Sequence, residues 1–251
     1  MGLSHSPRIV TDGLVFCVDA ANPRSYPGAG TTLSDLSHNP TNLTLYNGLS
    51  YSDEGNGSLL FDGTDDYASG SINNTTTTFP SVSGGFTISF WLNQVTELRD
   101  PFIFRLVDTG GNTIFNVSTR PEPAGYVGCR SENTVGGVLF QSEGGPGSSW
   151  PVGEWYHCTF VYRGTTSAND LDWYFNGVET LAFGWNYRYR FHMTSPTYRT
   201  NDGGPITMGY NPNGNPTDWL NSYIANLQLY NRTLTDDEIK QNYNATRWRF
   251  Q

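Results

Sequence analysis

A chain of 251 residues with 28 glycines, 14 prolines and 14% aromatics, but only 15% charged residues, suits one large β domain better than a helical one. Its net charge of -9, with Lys240 the only lysine, excludes binding along a nucleic-acid backbone, which needs a basic stripe to release counterions. No apolar run reaches the roughly 18 residues of a bilayer span, and the opening MGLSHSPRIVTDG lacks the apolar core of an export signal.

Runs rich in Val, Ile, Phe, Tyr and Trp recur between clusters of Gly, Asn, Pro and Asp, the spacing of an all-β sandwich. In chain order the predicted strands are LVFCVDA from Leu14, SLLFD from Ser58, a strand beginning at Tyr67, FTISFWLN from Phe86 and FIFRLVD from Phe102. They continue with TIFNVST from Thr113, YVGCR from Tyr126, GVLFQ from Gly137, WYHCTFVYR from Trp155, LDWYFN from Leu171, ITMGY from Ile206 and YIANLQLY from Tyr223. The only helix signalled with force is TLTDDEIKQNYNA. There Thr235 and Glu238 fit a capping box, Asp236 and Asp237 favour the positive end of the dipole, and Ile239 and Tyr243 share a face. Neither an internal repeat nor a linker divides the chain, so residues 1–251 read as one domain with a core over about 13–243.

Alternation assigns faces. Phe86, Ile88, Phe90 and Leu92 point to the core, leaving Thr87, Ser89, Trp91 and Asn93 on a face that reads as concave and wet. The strand at Trp155 alternates Trp155, His157, Thr159 and Val161 with Tyr156, Cys158, Phe160 and Tyr162, as a central strand covered on both sides does. Cys17, Cys129 and Cys158 cannot all pair within one chain and lack metal-ligand spacing; they read as small buried hydrophobes. The Asn-x-Ser/Thr triplets at Asn42, Asn116 and Asn231 are ascribed to an Asn- and Thr-rich composition.

In order and spacing, GLVFCVDAANPRSY, LLFDGTDDYASG, FTISFWLN, GEWYHCTFVY, DWYFNGVE and IANLQLYNRTLTDDEIKQNY resemble the laminin G-like branch of the concanavalin A-like lectin/glucanase superfamily. The resemblance spans Gly13 to Tyr243 and implies a jelly roll of two curved antiparallel sheets. The opening block, with DAANPRSYPG after the first strand, is similar to modules in virion proteins of tailed phages, including those infecting cyanobacteria. That implies a virion-surface protein assembled in the host cytoplasm: a capsid decoration, head fibre or tail-associated module. Its partners would be other virion proteins, with several copies able to associate.

Some members of this superfamily hydrolyse glycosides, which takes two carboxylates facing one another across the sugar. The Glu-x-Asp-x-Glu strand motif of the glucanase branches is missing, Asp170 and Asp172 have no flanking Glu, and no Gly-x-Ser-x-Gly elbow exposes a serine. His157 reads as a hydrogen-bonded structural residue, so the expectation is a protein without catalysis or a required cofactor.

Three sets of residues remain. FDGTDDYASG concentrates Asp62, Asp65 and Asp66, either as a tight turn whose carboxylates accept backbone N–H groups or as a Ca2+ site at the sandwich rim. WNYRYRFHMTSPTYRT interleaves Tyr187, Arg188, Tyr189, Arg190 and Arg199, residue types enriched at interface centres; with the terminal Trp248 and Phe250 it reads as a partner surface. Its alternative is a β hairpin packed on the sandwich. Trp91, Asn93 and Tyr156 on the concave face are candidates for binding a glycan, the function of a stand-alone lectin.

Overall fold

The structure is a computed structural model that describes residues 7–72, 85–96, 101–120, 126–132, 136–145, 151–164, 171–179, 186–192, 202–210 and 219–251. Two antiparallel sheets face one another, as in a concanavalin A-like jelly roll. One sheet is built around β17 (Asn221–Tyr230) and β7 (Phe86–Gln94), with β12 (Trp155–Tyr162), β13 (Leu171–Phe175) and β14 (Val178–Glu179) following outward from β7. On its other edge β17 pairs first with β5 (Ser58–Asp62), beyond which lies β4 (Ser50–Ser52), and then with β1 (Leu14–Val18). A bulge at Asn226, whose φ of 47° suits the short amide side chain of Asn, separates the two pairings.

The second sheet runs β15 (Asn186–His192), β11 (Val138–Gly145), β10 (Tyr126–Glu132), β9 (Thr113–Arg120), β8 (Phe102–Val107), β16 (Pro205–Met208), β6 (Tyr67–Ser71), β3 (Leu43–Tyr46) and β2 (Thr32–Leu33). Every strand predicted from alternation is present. The short β2, β3, β4 and β14, and β15, are additional.

The core is aromatic. Phe16, Phe61, Phe86, Phe90, Phe104, Phe115, Phe140, Phe160 and Trp173 are fully buried between the sheets, each worth about 1.5–3 kcal/mol of apolar burial. Phe86 stacks on Phe115 at 4.6 Å, joining the two layers. All three cysteines are free and buried. Asp35, itself buried, accepts N–H groups from Cys17, Ser37 and Thr41, which ties the loop before β3 to β1.

The outer face of the β7–β12 sheet carries the main correction to the sequence reading. Thr87, Ser89, Trp91 and Asn93 do lie opposite the core residues, yet none is wet: Trp91 is 2% and Asn93 3% exposed. Helix α1 (Asp236–Thr246) and the residues after it cover this face. The Thr235–Glu238 capping box forms as expected, and Arg232 holds the Glu238 carboxyl down at about 2. From α1, Thr246 accepts the Trp91 indole N–H at 2.9 Å and Tyr243 stacks on the Trp91 ring at 5.7 Å. Tyr156 faces the other way: it pairs with Leu92, lies half-buried against the core and donates its hydroxyl to Glu154. Trp91, Asn93 and Tyr156 therefore form no open concave site together.

Of the two terminal aromatics, Phe250 also turns inward while Trp248 stays exposed. Phe250 stacks on Trp91 at 4.1 Å and meets the Trp155 ring at a tilt, 4.7 Å away, so this residue of the predicted partner surface is satisfied within the domain. Arg249 is 7% exposed; it donates to both carboxylate oxygens of Asp19 at 3.0 and 2.8 Å and to the Gly57 carbonyl at 2.6 Å. Removing one member of a buried pair strands its partner, so Arg249→Ala should cost about 3–5 kcal/mol in urea unfolding, against less than about 1 kcal/mol for Arg247→Ala on the exposed side. Equal losses for the two variants would remove the locking role given to Arg249.

His157 lies 1% exposed beneath α1, its Nε2 2.9 Å from Ser89 Oγ, and burial pushes its imidazole down from 6.5 to about 3. The unfolded chain binds a proton below pH 6.5 that the folded chain refuses until about pH 3. This contribution is therefore intact above pH 6.5 and falls on acidification, by up to about 1.4 kcal/mol per pH unit. His157→Asn should flatten the dependence of urea stability between pH 7 and 5; a variant with the wild-type slope would contradict this.

Candidate functional site

Two rim crossovers lie side by side at one end of the sandwich. The first, Asp62 to Tyr67, carries the chain from β5 in one sheet to β6 in the other. Gly63 adopts φ 79° and donates its N–H to the Leu220 carbonyl; a Cβ there would lie 2.8 Å from Asn221, so the turn needs glycine. Asp62 Oδ1 accepts the Thr64 N–H at 2.8 Å and Asp66 Oδ2 accepts the Asp62 N–H at 3.1 Å. These bonds are the turn chemistry anticipated from FDGTDDY.

The second crossover, Tyr46 to Leu49, links β3 to β4. Asn47 and Gly48 both have positive φ, as a type I′ turn demands, and the Leu49 N–H closes on the Tyr46 carbonyl at 3.2 Å. Asn47 Nδ2 bridges to the Asp65 carbonyl at 3.0 Å, fastening one turn to the other.

Beside these turns the outer face of the second sheet presents a ledge of rings. Tyr46 and Tyr67, directly opposite in the β3–β6 ladder, stack at 4.5 Å with an interplanar angle of 8°. Tyr210 stands 5.2 Å from Tyr67, and Trp219 lies 6.4 Å from Tyr67 and 5.5 Å from Tyr210. Tyr46 is 39% exposed and the other three are half-buried. Sequence reading did not assemble this ledge. Alternation in LTLY, with Leu43 and Leu45 buried, would have turned Tyr46 outward, but no local signal brings Tyr210 and Trp219 to it.

One carboxylate oxygen from each of Asp62, Asp65 and Asp66 lies within 4.8 Å of the other two at the ledge's edge. Asp62 and Asp65 are exposed; Asp66 is 3% exposed, and its Oδ1 has no hydrogen-bond partner. Burial, reinforced by the charges of Asp62 and Asp65, raises the Asp66 carboxyl above its ordinary value.

Of the predicted partner surface, Tyr187, Arg188, Tyr189 and Arg190 lie on β15, paired antiparallel with β11 at the edge of the second sheet; Arg199 lies outside the described residues. Trp248 is 63% exposed. Asp172 is 7% exposed and paired with Arg163 at 2.9 Å, while Asp170 lies outside the described residues. Among the described residues no helix is long and apolar enough to cross a membrane.

No curated protein matches the sequence. Among solved structures, the chain is similar to the binding domain of Paraclostridial Mosquitocidal Protein 1 (TM-score 0.67, 16% identity, 93% of this chain and 52% of that one). The binding domain of botulinum neurotoxin serotype D is comparable (0.66, 11%, 93% and 52%), as is that of serotype G (0.65, 13%, 92% and 50%). At such identities the likeness speaks for the fold, and the chain spans about half the length of each of these structures. A laminin G-type family model matches residues 61–240, from the acidic crossover through α1 as far as Lys240. With the two-sheet architecture, that match establishes that the chain belongs to the concanavalin A-like lectin/glucanases superfamily.

Proposed function

We propose that the protein is a non-catalytic recognition module that binds a glycan at the ledge formed by Tyr46, Tyr67, Tyr210 and Trp219. The observation that carries this reading is the ledge itself: four contiguous, partly exposed rings, with exposed carboxylates alongside. Sugar rings offer C–H faces that stack on aromatics and hydroxyls that donate to carboxylates, so both halves of the surface suit one ligand. The structural neighbours support a binding role, being binding domains of toxins. The concave face around Trp91 is covered in this fold and is not the glycan surface proposed here.

Glycan-array screening followed by calorimetry tests the assignment. Tyr67→Ala, and separately the more exposed Tyr46→Ser, should weaken binding of the selected glycan by about 30-fold, the loss expected for truncating an aromatic anchor worth about 2 kcal/mol. Trp248→Ala should leave it unchanged. Undiminished binding in both ledge variants would sink the site.

Trp248 favours a second, compatible reading. An aromatic 63% exposed next to Arg247 and Arg249 is a residue type enriched at interface centres. We propose that it contacts a protein partner, within the virion-surface role that the resemblance to tailed-phage modules suggests.

A further inference from the structure

We infer, resting on the glycan reading above, that the bound glycan carries an acidic group, a carboxylate or a sulfate, which Arg105 and Asn116 receive at the middle of the second sheet. Strand pairing places these residues in one line. Thr207, Arg105, Asn116, Arg130 and Gln141 stand directly opposite one another across β16, β8, β9, β10 and β11. Their chain neighbours Phe104, Leu106, Phe115, Val117, Cys129 and Phe140 fill the core, so the line belongs to the outer face. Ser69, opposite Thr207 and two positions from Tyr67, puts the ledge on the same face. Tyr210 joins the two: it belongs to the ledge, and its hydroxyl is close enough to act on the Arg105 charge.

The protein does not use up the donors along this line. Arg105 is 6% exposed, yet its Nε and Nη2 bond only neutral oxygens, Thr113 Oγ1 at 3.2 and 2.9 Å and the Gly111 carbonyl at 3.3 Å. Among the described residues no carboxylate bonds it and Nη1 has no partner, and burial pulls the guanidinium below its ordinary pKa. Asn116, 5% exposed, makes no side-chain hydrogen bond among the described residues. Thr207 Oγ1 and Arg130 Nε are buried and unbonded as well. Enclosed polar groups normally find partners, because burial strips their water with no return. Four deficits in one line mark a seat for an outside acceptor.

Charge selects that acceptor. A buried guanidinium bonded only to neutral oxygens gains most from an anion, whose charge-assisted hydrogen bonds are about twice as strong as neutral ones. Glu132 lies 3.3 Å from Arg130 and holds that charge, which leaves Arg105 as the cation for a ligand. The net charge of -9, with Asp62 and Asp65 exposed at the ledge's edge, repels a polyanion. One acidic sugar within an otherwise neutral glycan is the form that fits.

Matched glycans test this by calorimetry on the full chain: an acidic oligosaccharide against its carboxyl-reduced form, and a sulfated one against its desulfated form. The acidic member of one pair should bind at least tenfold tighter, and the advantage should shrink as salt is raised. Which pair shows it tells carboxylate from sulfate. Arg105→Gln removes the cation, and Asn116→Asp supplies it with an internal carboxylate. Each should erase the advantage and leave the neutral member's affinity unchanged, in variants whose circular dichroism matches the wild type. Tyr67→Ala should weaken both members alike. Equal affinities within both pairs, or an advantage that survives both substitutions, would overturn the acidic class and leave the ledge standing. If no glycan binds at all, the ledge reading fails, and the seat is then judged from the Arg105 side-chain N–H resonances of 15N-labelled protein titrated with glucuronate and with inorganic sulfate. Saturable shifts retain the seat; unmoved resonances remove it.

Discussion

The buried pair of Arg249 and Asp19 governs how this sandwich closes. Asp19 follows β1, at the point where β17 changes partner, and also accepts the amide of Asn226 at the bulge. Arg249 reaches it from the far end of the chain and places Phe250 on Trp91. The pair thus fixes the bulge, the β1 edge and the cover over the outer face of one sheet together. A guanidinium this enclosed is tolerable because its donors meet the carboxylate and the carbonyls of Gly55 and Gly57.

With one outer face sealed in this way, the proposed glycan surface lies on the other sheet. The aromatic ledge and the acidic crossover share two adjacent turns. Each element of that corner has a structural task as well: Gly63 and the Asn47–Gly48 pair let the chain change sheets, and Asp66 Oδ2 closes the turn. A family signature that builds the fold therefore also brings three carboxylates together.

Much of the architecture was legible because it is periodic. FTISFWLN and WYHCTFVYR alternate cleanly, and the faces read from them are the faces observed. The helix announced itself through Thr235 and Glu238. What local pattern could not convey was the environment of the outward residues. Thr, Ser and Asn around Trp91 looked like a wet surface, yet the group covering Trp91 is Thr246, 155 positions along the chain. The ledge escaped for the same reason, since Tyr67 and Trp219, 152 positions apart, meet only once the chain has folded. The short β2 and β4 are too brief for alternation to show and owe their extended form to pairing with neighbours.

The packing around α1 also sets the direction in which the module faces. Asn242 of the helix accepts the Val10 N–H and Gln241 donates to the Arg8 carbonyl, so the first described residues and the last share the back of one sheet. The rings of Tyr46 and Tyr67 stand on the outside of the other. A support attached at either end would therefore hold the sandwich by its helix-covered face and leave the rings of Tyr46 and Tyr67 pointing away from it.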